Sequence, residues 1–155
     1  MVVVVEPSFQ TGKGCDTFVG EVVVEIFLEN AFDAYRARAG EIAPADVRRE
    51  AVSALIEIGT TELYLGEDLV ARLGLPYFES LSAEYANRRR ERLPVAGPVA
   101  LQLLGQTRNF DCVVGPPGAR ALVGQVVLEK LDLLVDCAGH HLVYRTDPAG
   151  PVYRL

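Results

Sequence analysis

No apolar run in this chain approaches the ~20 residues that a membrane-spanning helix needs, so no membrane partner is expected. The opening Val2-Val3-Val4-Val5 is too short for the core of a secretory signal, and no positive residue precedes it. A cytoplasmic protein is the expectation. Cysteine is scarce: Cys15, Cys112 and Cys137 are odd in number, widely spaced and without a Cys-x-x-Cys pair. That pattern argues against a disulfide framework or a thiolate metal site and for reduced, buried thiols. Histidine is scarcer still. His140 and His141 are adjacent, and neighbours on a strand point to opposite faces, so neither a metal nor any other cofactor is expected. Positive charge is outweighed, with 15 Lys and Arg against 21 Asp and Glu, a net charge of −6 and a pI near 4.9. Nucleic acid is thereby disfavoured as a partner.

What is present suits one domain of ordinary size. The 155 residues are half hydrophobic, enough to bury a core. Abundant valine and leucine, with 14 glycines and 9 prolines punctuating short runs, predict a mostly β chain. Its organising stretch is Ala54-Leu55-Ile56-Glu57-Ile58-Gly59-Thr60-Thr61-Glu62-Leu63-Tyr64-Leu65. Two strand-like segments flank a tight glycine-containing loop with an acid at its mouth, a place where chemistry can sit. Residues 66–75 read as a short helix, with Glu67 and Asp68 in the first turn and Leu69, Val70 and Leu73 at helical spacing. Gly74 stands at the C-terminal cap, and Pro76 bars continuation.

Elsewhere, residues 1–6 read as a strand, and the loop after it contains Gly12-Lys13-Gly14. That tripeptide lacks the spaced glycine and the Lys-Ser/Thr pair of a phosphate loop. Residues 19–30 alternate as a strand with apolar side chains on both faces, so its outer face is available to a second layer or a partner. Residues 31–46 read as an elaborated hairpin connection that can include a helical turn. Strands are expected over 47–56, 77–86, 93–104 and 107–114, with Asn87-Arg88-Arg89-Arg90-Glu91-Arg92 as a charged turn. After 115–118 comes Ala121-Leu122-Val123-Gly124-Gln125-Val126-Val127-Leu128-Glu129-Lys130-Leu131-Asp132-Leu133-Leu134-Val135-Asp136, then a turn at 137–140, a strand over 141–145 and a tail over 147–155.

The organising stretch, with Glu67-Asp68-Leu69-Val70-Ala71-Arg72-Leu73-Gly74-Leu75 behind it, resembles the active-site loop and following helix of retropepsin-like (clan AA) aspartic proteases of the prokaryotic branch. A second motif agrees in order and spacing: Leu122-Val123-Gly124, Leu128-Glu129 and Leu134-Val135-Asp136 follow the family's hydrophobic-hydrophobic-Gly, short helix and Leu-x-Val-Asp strand. The family writes its loop Asp-Thr/Ser-Gly. Here Glu57 and Ile58 replace the first two residues and Gly59 matches. The resemblance implies an all-β, retropepsin-like acid protease barrel with one or two short helices over residues 19–155, preceded by an extension over 1–18. It also implies a flap hairpin, with Ala86-Asn87 fitting its tip and Arg88 in place of glycine. Glu57, Ile58 and Gly59 would then be the degenerate catalytic loop, and Ala86, Asn87, Arg88, Leu122, Val123 and Gly124 would contact substrate.

Family members cleave peptide bonds with two aspartates, one per subunit, that share a proton because close like charges cannot both ionise. One loop per chain therefore implies a homodimer with Glu57 facing its copy. Glutamate retains the acid but shifts each carboxyl by roughly an ångström, a displacement that can cost about 10²-fold in rate. Ile58 removes the hydroxyl that hydrogen-bonds across the family's dimer. The resemblance thus implies an inactive or weakened protease relative that binds a peptide or protein segment in an inter-subunit cleft. The alternatives are an active endopeptidase using Glu57 and a purely structural dimeric subunit. Read without the resemblance, Glu57 is a strand-end acid, exposed or bonded to backbone N–H groups of its own loop. Arg88, Arg89, Arg90 and Arg92 form a basic cluster that either meets an acidic partner or simply solvates a hairpin end. Ser80 and Ser82 have no histidine near in sequence, and nothing favours a Ser–His–Asp triad.

Overall fold

The computed structural model describes residues 2–5 and 21–145. The Gly12-Lys13-Gly14 loop, Cys15 and the tail over 147–155 lie outside the described residues. Among the described residues, ten strands and three α-helices follow in order: β1 (Val2–Val5), β2 (Val23–Asn30), α1 (Ala31–Arg38), β3 (Arg49–Ile56), β4 (Leu63–Gly66), α2 (Glu67–Leu73), β5 (Tyr77–Tyr85), β6 (Arg90–Leu103), β7 (Gln106–Gly115), β8 (Ala121–Val123), α3 (Gln125–Lys130), β9 (Leu133–Asp136) and β10 (His141–Tyr144). The fold is all-β, as expected, but three short helices replace the one or two predicted.

The sheet closes on itself. Strands run β6-β2-β3-β8-β4-β7, and β7 pairs back onto β6, giving a six-stranded barrel. Closure removes the open edges that a flat sheet would expose. β5 hangs from the first half of β6 as a long hairpin arm, and β1 pairs in parallel with β5. The β6–β7 register shifts between Ala96 and Val99, a bulge at Gly97-Pro98. Before it β6 pairs with β5; after it, with β2. β9 and β10 form a separate two-stranded ribbon.

Alternation dictates which side chains fill the barrel. Ile26 and Leu28 of β2 point inward, joined by Leu63 and Leu65 of β4 and Val99 and Leu101 of β6. Leu69, Val70 and Leu73 of α2 join this core, as do Val127, Leu128 and Leu131 of the α3 segment. Val23 and Phe27, on the outer face of β2, remain exposed. A smaller cluster of Leu81, Ala83, Leu93, Val95 and Val113 holds the hairpin arm to the barrel wall. No helix among the described residues is long and apolar enough to cross a membrane.

Residues 31–46 form the expected elaborated connection between the antiparallel strands β2 and β3, and the helical part of it is longer than a turn: α1 and a 3-10 turn at Pro44–Asp46. The reason is Asn30, only 1% exposed. Its Oδ1 accepts the Asp33 N–H (3.0 Å) as an N-cap, while Nδ2 donates to the carbonyls of Leu73 (2.9 Å) and Gly74 (3.2 Å). Asp33 is itself buried and takes the Arg48 guanidinium at 2.7 and 3.0 Å. Gly74 closes α2 at φ +62, and a Cβ there would overlap the same guanidinium. One polar knot thus joins α1, the approach to β3 and the end of α2.

Two cysteines fare differently. Cys112 is a buried, free thiol whose pKa burial pushes up to about 12. Cys137, by contrast, is disulfide-bonded, which corrects the expectation of reduced, buried thiols for that residue. It sits half-buried in the β9–β10 turn rather than in the core.

The Arg48 guanidinium holds the Asp33 carboxyl below the usual carboxylate range, against the opposing effect of burial. A lowered folded-state value means the interaction stabilises above the unfolded pKa of about 3.9 and is lost as pH falls through the folded value. Asp33→Asn should therefore destabilise the fold by about 2 kcal/mol at pH 7, discounted for the half-exposed arginine. In urea titrations the gap between parent and variant should narrow below about pH 4.

Candidate functional site

The Glu57 loop is built by two segments far apart in the chain. β8 lies between β3 and β4, parallel to the first and antiparallel to the second. It pairs Leu122 with Leu55 and Tyr64, and Val123 with Ile56 and Leu63. Where β3 ends, the Glu57 N–H donates to the Val123 carbonyl at 3.0 Å. The loop then turns on Thr60 N–H to Glu57 carbonyl (3.2 Å). The carbonyls of Thr60 and Thr61 accept the N–H groups of Gln125 (2.8 Å) and Val126 (3.0 Å) in the first turn of α3. These donors would otherwise be orphans of a helix start that has no side-chain cap.

Gly124 explains why the two segments can be this close. A Cβ on it would lie 2.5 Å from the Thr61 carbonyl carbon and the Glu62 oxygen, and 2.7 Å from the Glu62 nitrogen. All three are backbone atoms, which cannot swing aside. The hydrophobic-hydrophobic-Gly motif is therefore a packing requirement of the Glu57 loop.

Glu57 is half-buried, and its Oε1 accepts the Gly59 N–H at 3.1 Å. This is the self-bonded loop arrangement that the residue types alone also allowed. Ile58 projects outward, 53% exposed, and Val126 on the bonded α3 turn is 45% exposed. An acid, an exposed isoleucine and an exposed valine thus belong to one hydrogen-bonded unit.

The site residues expected from sequence divide into two groups. Glu57, Ile58 and Gly59 are joined to Leu122, Val123 and Gly124 through the bonds above. Ala86, Asn87 and Arg88 lie at the tip of the β5–β6 hairpin, and among the described residues no hydrogen bond links them to the Glu57 loop. The tip is a tight turn, with Arg88 N–H donating to the Tyr85 carbonyl (2.8 Å) and Arg89 N–H to Asn87 Oδ1 (3.0 Å). Arg88 adopts φ +62, the left-handed conformation that glycine takes with least strain. The basic cluster is largely paired along the arm: Arg89 with Glu91, Arg90 with Glu84, and Arg92 with the Ser80 hydroxyl.

Sequence reasoning did not single out a second feature. A cleft of about 570 Å³ opens between the hairpin arm and the barrel. Tyr64, Tyr77, Tyr85, Glu67, Glu91 and Arg92 line it, with Leu93, Pro94 and Gly115 completing the wall. Tyr64 alternates with core-facing Leu63 and Leu65, so its ring turns to this side. Gly115 admits the ring, because a Cβ there would overlap the phenol oxygen. Burial raises the pKa of all three tyrosines, helped by Glu91 at Tyr64 and Tyr85 and by Glu67 at Tyr77, so the phenols remain donors near neutrality. The signal in sequence was faint: three tyrosines far apart, one of them interrupting a Leu-x-Leu pair.

Among the described residues no group of three or more His, Cys, Asp or Glu is placed to hold a metal ion. His141 instead faces Asp136 at 3.6 Å, and His140 occupies the turn at φ +55. No protein-family model matches the chain, and no curated protein matches it.

Replacing Gly124 by alanine should destabilise the protein by about 1–3 kcal/mol, as expected for overpacking against unyielding backbone. Amide exchange should then rise first in residues 57–62 and in α3, which chemical denaturation combined with hydrogen exchange can check.

Proposed function

We propose that this chain is a retropepsin-like aspartic protease relative that acts as a homodimer and binds an extended peptide or protein segment, with peptide cleavage weak or lost. The observation that carries this reading is the meeting of the two motifs. Glu57 and Gly124 belong to segments that resemble the family independently, and their backbones are hydrogen-bonded and in close contact in the barrel. A chance likeness of two short stretches gives no reason for them to share one site.

Dimerisation follows from chemistry and exposure together. One loop supplies one carboxyl, while proton-sharing hydrolysis requires two. Ile58 and Val126 expose apolar surface on the loop and on the turn bonded to it, a surface suited to a second copy. Weak catalysis follows from the residues themselves. Glutamate places its carboxyl about an ångström further from the backbone, and isoleucine cannot donate the cross-dimer hydrogen bond. Glu57 is further engaged by the Gly59 N–H of its own loop. Peptide binding suits the base of the β5–β6 arm: β1 covers the outer edge of β5 over Ser82–Tyr85, while among the described residues no strand pairs that edge over 77–81, and extended chains pair with such edges and lay alternate side chains into pockets.

Sedimentation should find a concentration-dependent dimer that Ile58→Glu weakens at least about tenfold, since an unpaired charge would enter the interface. Unfolded casein-type substrate at acid pH should be cut poorly by the parent and faster, by about 10²-fold, by Glu57→Asp with Ile58→Thr. Efficient cleavage by the parent that Glu57→Gln abolishes would instead establish the active endopeptidase. A strictly monomeric parent would overturn the reading.

A further inference from the structure

We infer that the cleft beside Tyr64 is a subsite for a basic side chain, lysine or arginine, of the bound segment. This deepens the peptide-binding reading and rests on it. The cleft has the chemistry that a cationic side chain requires along its whole length. Tyr77 and Tyr64 contribute aromatic rings to the lining, Leu93 and Pro94 contribute apolar wall for a methylene stem, and two carboxylates, Glu67 and Glu91, belong to the same lining.

The charges already in place show which group is unmatched. Glu91 receives the Tyr85 hydroxyl at 3.2 Å and the Arg89 guanidinium at 3.2 Å. Arg92, the cation in the lining, is turned to the Ser80 hydroxyl at 2.6 Å. Glu67 has no cationic partner among the described residues, although it lies close enough to Tyr77 to disfavour ionisation of that phenol. A carboxylate beside the Tyr77 ring in the cleft lining, with no cation of the described residues on it, leaves one side of an ion pair open.

The protein also rehearses the contact on its own surface. The Arg89 guanidinium lies 5.8 Å from the centre of the Tyr85 ring while bonding to Glu91. An incoming guanidinium or ammonium would repeat that combination with Tyr77 and Glu67. Acidic side chains are disfavoured there by Glu67.

The test uses the full chain and two probes. The first is a set of fluorescent peptides, taken from a library screened for binding, that differ at one position as Arg, Lys, norleucine or Glu. The second is free N-acetyl-arginine amide, followed by the ring resonances of the tyrosines. The basic peptides should bind about three- to tenfold more tightly than the norleucine peptide. Glu67→Gln should remove that margin, bringing the basic peptides down to the norleucine level. Since Glu67 is exposed in the first turn of α2, the variant should fold normally, and circular dichroism checks that. If peptides bind without regard to charge and Glu67→Gln alters nothing, the subsite is overturned while the peptide-binding reading stands. If no peptide binds, that reading fails. The free arginine probe then decides the subsite alone: tyrosine shifts abolished by Glu67→Gln support it, and their absence overturns it.

Discussion

Everything distinctive about the molecule depends on a glycine touching a backbone. Gly124 brings the end of β8 against the peptide units of Thr61 and Glu62, closer than any side chain would permit. From that contact come the bond between Glu57 N–H and Val123, the capping of α3 by threonine carbonyls, and the insertion of β8 between β3 and β4. The barrel closes through the same strands, so the geometry of the acid-bearing loop and the integrity of the fold are one constraint. A loop held on both sides by main-chain bonds keeps its shape whatever side chains it carries. That is why Glu57 and Ile58 can occupy it without disturbing the architecture.

A second polar centre handles the opposite end. Asn30, Asp33 and Arg48 are joined by hydrogen bonds to the last turn of α2, whose cap residue Gly74 leaves room for the arginine. Buried polar groups are stabilising only when satisfied, and these are: no buried side-chain nitrogen or oxygen among the described residues lacks a partner. The inserted α1 segment is thereby an integral part of the wall.

How much of this was legible in the sequence depends on where each element finds its partners. α2 was read nearly to the residue, because its first-turn acids, its Leu69, Val70 and Leu73 stripe and its glycine cap are all local. The apolar strands were read for the same reason. α1 was not: it buries only Ala31 and Asp33, and its cap Asn30 owes its position to carbonyls of Leu73 and Gly74, remote in sequence. The charged stretch after Asn87 was expected to be all turn, yet β6 starts at Arg90 because Arg90 and Arg92 pair across to Glu84 and Ser80. The acid loop was visible as an apolar run interrupted at Glu57. The tyrosine-lined cleft was not, since Tyr64, Tyr77 and Tyr85 converge only after the hairpin arm folds over the barrel.

The free thiol inside the wall has a practical meaning of its own. Cys112 is wholly enclosed, sits on β7 where β6 and β4 meet it, and holds its proton up to about pH 12. Alkylating reagents consume thiolate, so they can act on this sulfur only during moments when the staves around it separate. Its labelling rate is therefore a clock for the breathing of the barrel, written into the molecule at the seam between the acid-loop strands and the hairpin arm.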